Sequence, residues 1–204
     1  MNLISNCCLG AWTYEQAQIE YNNPFMWAKT NADSFLYLMK NYDKIDLENI
    51  FTLQKHKRPD GCLYYSIIVN DNLEIEFTHY LEAYKKENEK KLGGDRFIYE
   101  AYKYTVEKYQ DRVNRLKETN ELPTFVILDE KRFDFDYTFE NCRKICESDI
   151  KYKVLLITEY EELKKYEKPN FKIIIDTTKR TLNECRTQDF ANKYHKEIIE
   201  FTKI

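Results

Sequence analysis

Apolar positions along this chain fall into two alternating patterns. Residues 124–128 (Thr-Phe-Val-Ile-Leu), 153–158 and 171–175 are short, nearly continuous apolar runs, the signature of strands buried on both faces of a sheet. The segments between and after them, 138–147, 159–166 and 188–201, carry apolar residues at helical spacing. This β-α-β-α-β-α alternation predicts parallel strands covered by helices. Upstream, residues 2–8 read as a strand and 14–20 as a short helix. A turn follows, because Pro24 biases Asn23 away from the helical region. Residues 32–42 place Phe35, Leu36, Leu38, Met39 and Tyr42 at helical spacing, with Asp33 in the first turn.

Residues 63–69 and 73–77 flank the turn 70–72 and predict a hairpin. Its second arm sets Leu73, Ile75 and Phe77 against Glu74 and Glu76, and His79 follows at its end. Gly93 and Gly94 divide a charged helical segment, 80–92, from a longer helix over 97–119. That helix carries the stripe Ile98, Ala101, Tyr102, Thr105, Val106, Tyr109, Val113 and Leu116, flanked by Lys108, Arg112 and Arg115. The whole predicts an α/β fold over residues 1–204: one three-layer domain with a mainly parallel sheet and helices on both faces. The first strand and the hairpin are expected in that same sheet.

Composition narrows the function classes. Of 204 residues, 32 are basic and 35 acidic, a net charge of -3. No segment is strongly basic, so the electrostatic footprint of a nucleic-acid binder is not expected. The longest apolar runs fall far short of a membrane span. The first residues lack the basic head of a signal peptide, which predicts a cytoplasmic protein. The six cysteines are therefore expected as reduced thiols. Cys142 and Cys146 stand four apart with no second pair to complete a zinc site. No glycine-rich nucleotide motif or D-x-D sequence occurs either. Neither a metal nor another cofactor is expected.

Chemistry concentrates where the first strand meets the first helix: Ser5, Asn6, Cys7, Cys8, Leu9, Gly10. A thiol at such a corner lies where helix N-terminal amides lower its pKa and receive an oxyanion. Cys7 and Cys8 are the candidate nucleophiles, and buried structural cysteines are the alternative. His79, also predicted at a strand end, is the candidate base. Asp129, closing the 124–128 strand, is placed by topology to orient a histidine, and Asn6 to donate an amide to an oxyanion. Both residue types also cap strands for local reasons. His56 falls in a predicted polar loop and His195 on the last helix among charged residues. Lys108, Arg112 and Arg115, three or four apart, are positioned to form a cationic face for a carboxylate or phosphate, or simply a solvated face.

Four blocks add a resemblance: 5–10 (Ser-Asn-Cys-Cys-Leu-Gly), 21–27 (Tyr-Asn-Asn-Pro-Phe-Met-Trp), 77–80 (Phe-Thr-His-Tyr) and 108–116 (Lys-Tyr-Gln-Asp-Arg-Val-Asn-Arg-Leu). Together they resemble a bacterial and viral group of α/β proteins regarded as papain-like cysteine peptidases. They are also similar to a neighbouring exopolysaccharide-associated domain family of unknown function, whose opening reads Ser-Asn-Asn-Cys. The resemblance implies Cys8 and His79 as the Cys/His pair, Pro24, Phe25 and Trp27 as a structural or pocket-lining block, and Arg112 and Arg115 as paired basic residues. Cys7, Ala11 and Tyr80 depart from the residues usual in those families. The expected function is a thiol-dependent hydrolase or acyltransferase acting on a small-molecule, glycan or peptide substrate. The alternative is a surface-polysaccharide protein that binds or transfers a sugar or phosphorylated group without cysteine catalysis.

Overall fold

Side chains alternate across a strand, so a buried parallel sheet needs apolar residues at every position and a hydrophobic partner on each face. The computed structural model describes residues 1–48, 53–57, 63–70, 72–77, 94–119, 121–129, 136–178 and 187–203. Four strands come close to the condition, with Ser5, Thr124, Lys153, Thr158 and Lys172 their polar positions: β1 (Leu3–Ser5), β5 (Thr124–Leu128), β6 (Lys153–Thr158) and β7 (Phe171–Ile175). They pair in parallel in the order β1-β5-β6-β7. Leu3 lies opposite Thr124, Thr124 opposite Lys153 and Val154 opposite Phe171. Ile4, Phe125, Ile127, Val154, Leu156, Phe171 and Ile173 join one core cluster, and Leu3, Val126, Leu128, Leu155 and Ile157 the other. The apolar runs are continuous because both faces are covered.

On the first face lie α2 (Ala32–Asn41), through Phe35, Leu38 and Met39, and α4 (Phe139–Glu147), through Cys142, Ile145 and Cys146. The 3₁₀ segment Glu161–Tyr166 adds Leu163, and the long α3 (Gly94–Thr119) adds Tyr109 and Val113. On the second face lie α1 (Leu9–Ala17) and the C-terminal α5 (Thr187–Lys203), which buries Phe190, Ala191, Tyr194, Ile198 and Phe201. Two helix starts are fixed by side-chain caps: Asn31 accepts from Ser34 N at 2.9 Å, and Thr138 from Asn141 N at 3.3 Å. Gly10 lets the first turn of α1 lie directly on β1. A Cβ there would stand 3.1 Å from both Leu3 Cδ2 and Ser5 Cβ.

The α/β fold and its parallel sheet are as expected, but the predicted hairpin does not extend that sheet. β3 (Leu63–Asn70) and β4 (Leu73–Phe77) form a separate antiparallel sheet with β2 (Leu53–Lys57), in the order β2-β3-β4. The expected polar loop around His56 is therefore a strand, an edge strand among the described residues, with His56 opposite Tyr64. Charged side chains are what protect such an edge from further pairing. The opposite edge is tied to the main body. Lys29 and Glu76 exchange both backbone hydrogen bonds at 2.8 Å, and Glu74 N donates to Ser34 Oγ at 3.2 Å.

Two further boundaries move. The first strand stops at Ser5, and α1 begins at Leu9 rather than near Tyr14. The helix expected over 159–166 is a 3₁₀ helix, Glu161–Tyr166. The predicted helix over 80–92 lies outside the described residues. Among the described residues, no helix is long and apolar enough to cross a membrane.

Candidate functional site

Ligands of α/β sheets bind beyond the carboxyl ends of the strands, where neighbouring chain segments part toward opposite faces. Two such partings occur here. After β1 the chain runs to α1 on the second face, and after β5 to α4 on the first. After β6 it runs to the 3₁₀ segment on the first face, and after β7 to α5 on the second. A row of buried polar residues closes this edge: Ser5, Asn6, Asp129, Thr158 and Asp176.

Cys7 and Cys8 stand in the β1–β5 parting, 3% and 2% exposed. Cys8 is the N-cap residue of α1, with φ -65° and ψ -3°. Its carbonyl accepts from Trp12 N at 3.1 Å, so Trp12 follows Cys8 by one helical turn. The Cys8 side chain makes no capping bond to the amides of the first turn. Cys7 Sγ lies 4.0 Å from Ser5 Oγ. The Cys7–Cys8 segment thus sits at the strand-to-helix corner that the sequence indicated.

The carboxamide of Asn6 spans the parting. Its Nδ2 donates to Leu128 O at 2.8 Å, and its Oδ1 accepts from Leu128 N at 3.0 Å. It acts like one more peptide of β1, which is only three residues long. Asp129 is fully buried, and its Oδ2 accepts from Thr158 Oγ1 at 2.7 Å and from Glu159 N at 2.8 Å. It fixes the turn that leaves β6. Asn6 and Asp129, both anticipated for catalysis, thus each hold a neighbouring strand end. His79, the candidate base, lies outside the described residues.

Trp27 is brought to the same region. Its ring meets Trp12 edge-on, with centroids 5.1 Å apart at 80°, and Tyr21 at 6.4 Å and 88°. All three rings pack on the cluster that holds Cys7 and Leu9. The Trp27 backbone is left-handed, with φ 60°, a conformation that costs an L-residue about 1–2 kcal/mol.

Arg112 and Arg115 part company. Arg112 is 8% exposed, donates from Nη1 to Met26 O at 3.2 Å, and sets its guanidinium 5.4 Å from the centre of the Tyr21 ring. Burial, with some repulsion from Arg115, brings its pKa down to about 10. Arg115 reaches outward to Glu20 at 2.6 Å and to Asp111 at 2.5 Å. Trp12 and Tyr21, absent from the sequence-derived candidates, complete the aromatic group. The available signal was the four-residue spacing from Cys8 to Trp12.

At the second parting, Asp176 Oδ2 accepts from Tyr194 Oη at 2.5 Å and Lys193 Nζ at 2.9 Å, while Oδ1 accepts from Thr178 N at 2.8 Å. Burial works against its ionisation. The hydrogen bonds from Thr178, Tyr194 and Lys193 outweigh this and hold the carboxyl well below the usual range. Cys142 and Cys146 are buried in α4, and burial pushes both thiols up to about 12. An open groove of about 700 Å³ runs along α2 and α4, lined by Asn31, Asp33, Tyr37, Lys40, Asn141 and Lys144. It is polar, is bridged by the Lys144–Asp33 ion pair, and does not include the cysteine corner. Among the described residues, no group of three or more His, Cys, Asp or Glu is arranged to hold a metal ion. No protein-family model matches the chain, and no curated protein matches it significantly.

Proposed function

We propose that the chain is a thiol-dependent hydrolase or acyltransferase with Cys8 as its nucleophile. The supporting observation is the position of Cys8, at the first turn of α1, in the parting between β1 and β5. In the proposed cycle the Cys8 thiolate attacks a carbonyl carbon and forms a C–S bond. The first-turn amides of α1 receive the developing oxyanion charge. The bond to the leaving group then breaks, and His79 supplies the leaving group's proton. Water, or an acceptor hydroxyl deprotonated by His79, next attacks the thioester and releases Cys8. Asn6 and Asp129 act in this scheme by holding the two walls of the parting.

The alternative, an anion gripped between Arg112 and Arg115, has less support. Such a ligand would compete with Glu20 and Asp111 for Arg115 and with the Met26 carbonyl for Arg112.

The test uses p-nitrophenyl acetate, a small activated ester. The proposal predicts a burst of p-nitrophenolate and an acetyl adduct on the peptide containing Cys8. Both should vanish in Cys8→Ala while its circular dichroism spectrum stays unchanged. Full turnover in Cys8→Ala would refute it.

A further inference from the structure

Two unusual features meet one peptide apart. Trp27 holds a bulky ring on a left-handed backbone at φ 60°, a conformation that needs surrounding structure to impose it. The carbonyl just before it, Met26 O, accepts a hydrogen bond from the buried guanidinium of Arg112, 86 residues further along the chain. Arg112 is fixed in turn by the Tyr21 ring beneath it, and Tyr21 meets the edge of Trp27. The strained turn, the buried cation and the two rings form one closed arrangement. Its outer member is the half-buried Trp27 ring against Trp12, one helical turn beyond Cys8.

We propose that Arg112 is a positioning residue, holding Trp27 so that the Trp12 and Trp27 rings, set at 80° to each other, form an apolar corner beside Cys8, and that this corner selects acyl groups carrying an aromatic ring. The inference rests on the thiol reading of Cys8. It gives that site a substrate preference, and it assigns Arg112 a role distinct from binding an anion. Aromatic pairs, offset-stacked or edge to face, gain binding energy beyond the area they bury. The ring directions that create the corner depend on the Trp27 backbone conformation, which Arg112 constrains through the Met26 carbonyl.

The experiment compares the Cys7→Ala protein with the same protein carrying Arg112→Met, Arg112→Lys or Trp27→Ala. Methionine fills the volume of the arginine stem without donating a hydrogen bond, whereas lysine retains a donor. Two readouts are taken: the near-ultraviolet circular dichroism of the Trp12–Trp27 pair, and alkylation of Cys8 by iodoacetamide and by its N-benzyl analogue.

The benzyl probe is expected to react about 2- to 12-fold faster than iodoacetamide, the range that one aromatic contact supports. That preference and the tryptophan signal should be lost in Arg112→Met and recovered at least in part in Arg112→Lys. Trp27→Ala should lose the preference with Arg112 intact, and it carries the test should Arg112→Met fail to fold. An unchanged preference in Arg112→Met or in Trp27→Ala overturns the proposal. A Cys8 inert to both probes refutes the thiol chemistry, and a lost tryptophan signal would then leave Arg112 a packing residue only.

Discussion

Replacing Asn6 with alanine should destabilise the protein far more than the loss of one small polar side chain suggests. Its carboxamide makes two bonds, 2.8 and 3.0 Å, to the carbonyl and amide of Leu128, a residue 2% exposed. Alanine leaves both backbone groups buried and unpartnered in a space no side chain refills. Stranding a buried polar group costs about 1–3 kcal/mol, so the pair predicts a loss of about 3 kcal/mol. For a domain of this size that corresponds to a fall in Tm of about 6–12 °C. Urea unfolding followed by tryptophan fluorescence measures it, with an unchanged m-value showing that the same surface unfolds. Asn6→Asp provides an internal check. At neutral pH its carboxylate keeps the acceptor but loses the donor, and it is buried. Burial raises its folded-state pKa, so the variant recovers stability relative to wild type as pH falls and the protonated acid again donates to Leu128 O. A loss below about 0.5 kcal/mol in Asn6→Ala would refute the clasp and return the Asn6 amide to the candidate oxyanion donors.

Gly10→Ala should cost about 1 kcal/mol net, because the clash with Leu3 and Ser5 at 3.1 Å outweighs the gain in helix propensity; an equal or higher Tm would contradict this. Asp176 has its pKa lowered in the folded state, so its stabilisation is present above the unfolded carboxylate pKa of about 3.9 and is lost as pH falls through the lower folded value. Asp176→Asn should therefore cost about 1.5–3 kcal/mol at pH 7, the range for hydrogen bonds to a charged group, and flatten the acid limb of the stability profile, which a pH series of urea melts detects. Cys142 and Cys146, pushed up to about 12, should resist alkylation in the folded protein at pH 8; labelling there without unfolding would contradict their burial. Arg115→Ala should change stability by less than about 1 kcal/mol, since its ion pairs are on the surface.

The parallel sheet was legible in the sequence because strands covered on both faces are apolar at nearly every position, as 124–128, 153–158 and 171–175 are. The start of α1 was not. Packed against both the sheet and α5, that helix buries Leu9, Gly10, Ala11, Thr13 and Tyr14, leaving no polar face in its first turns to set a helical period. β2 was hidden for the opposite reason: an edge strand carries Lys55, His56 and Lys57, the composition of a loop. The corner at Cys7 and Cys8 was visible as a run of small and polar residues between a strand and a helix. The divergence of Arg112 from Arg115 was not, because three positions on a helix separate an inward from an outward side chain only when the packing partner is known. Here that partner is the carbonyl of Met26, a group no side-chain pattern records.

The most direct test of a nucleophilic Cys8 is the pH dependence of its alkylation by iodoacetamide in folded Cys7→Ala protein, with and without His79→Ala. The account predicts a reactive thiol titrating below the ordinary value of about 8.5, shifting upward when His79 is removed and losing its perturbation in urea. A Cys8 that labels only as the whole protein unfolds would contradict it and make the corner a structural one.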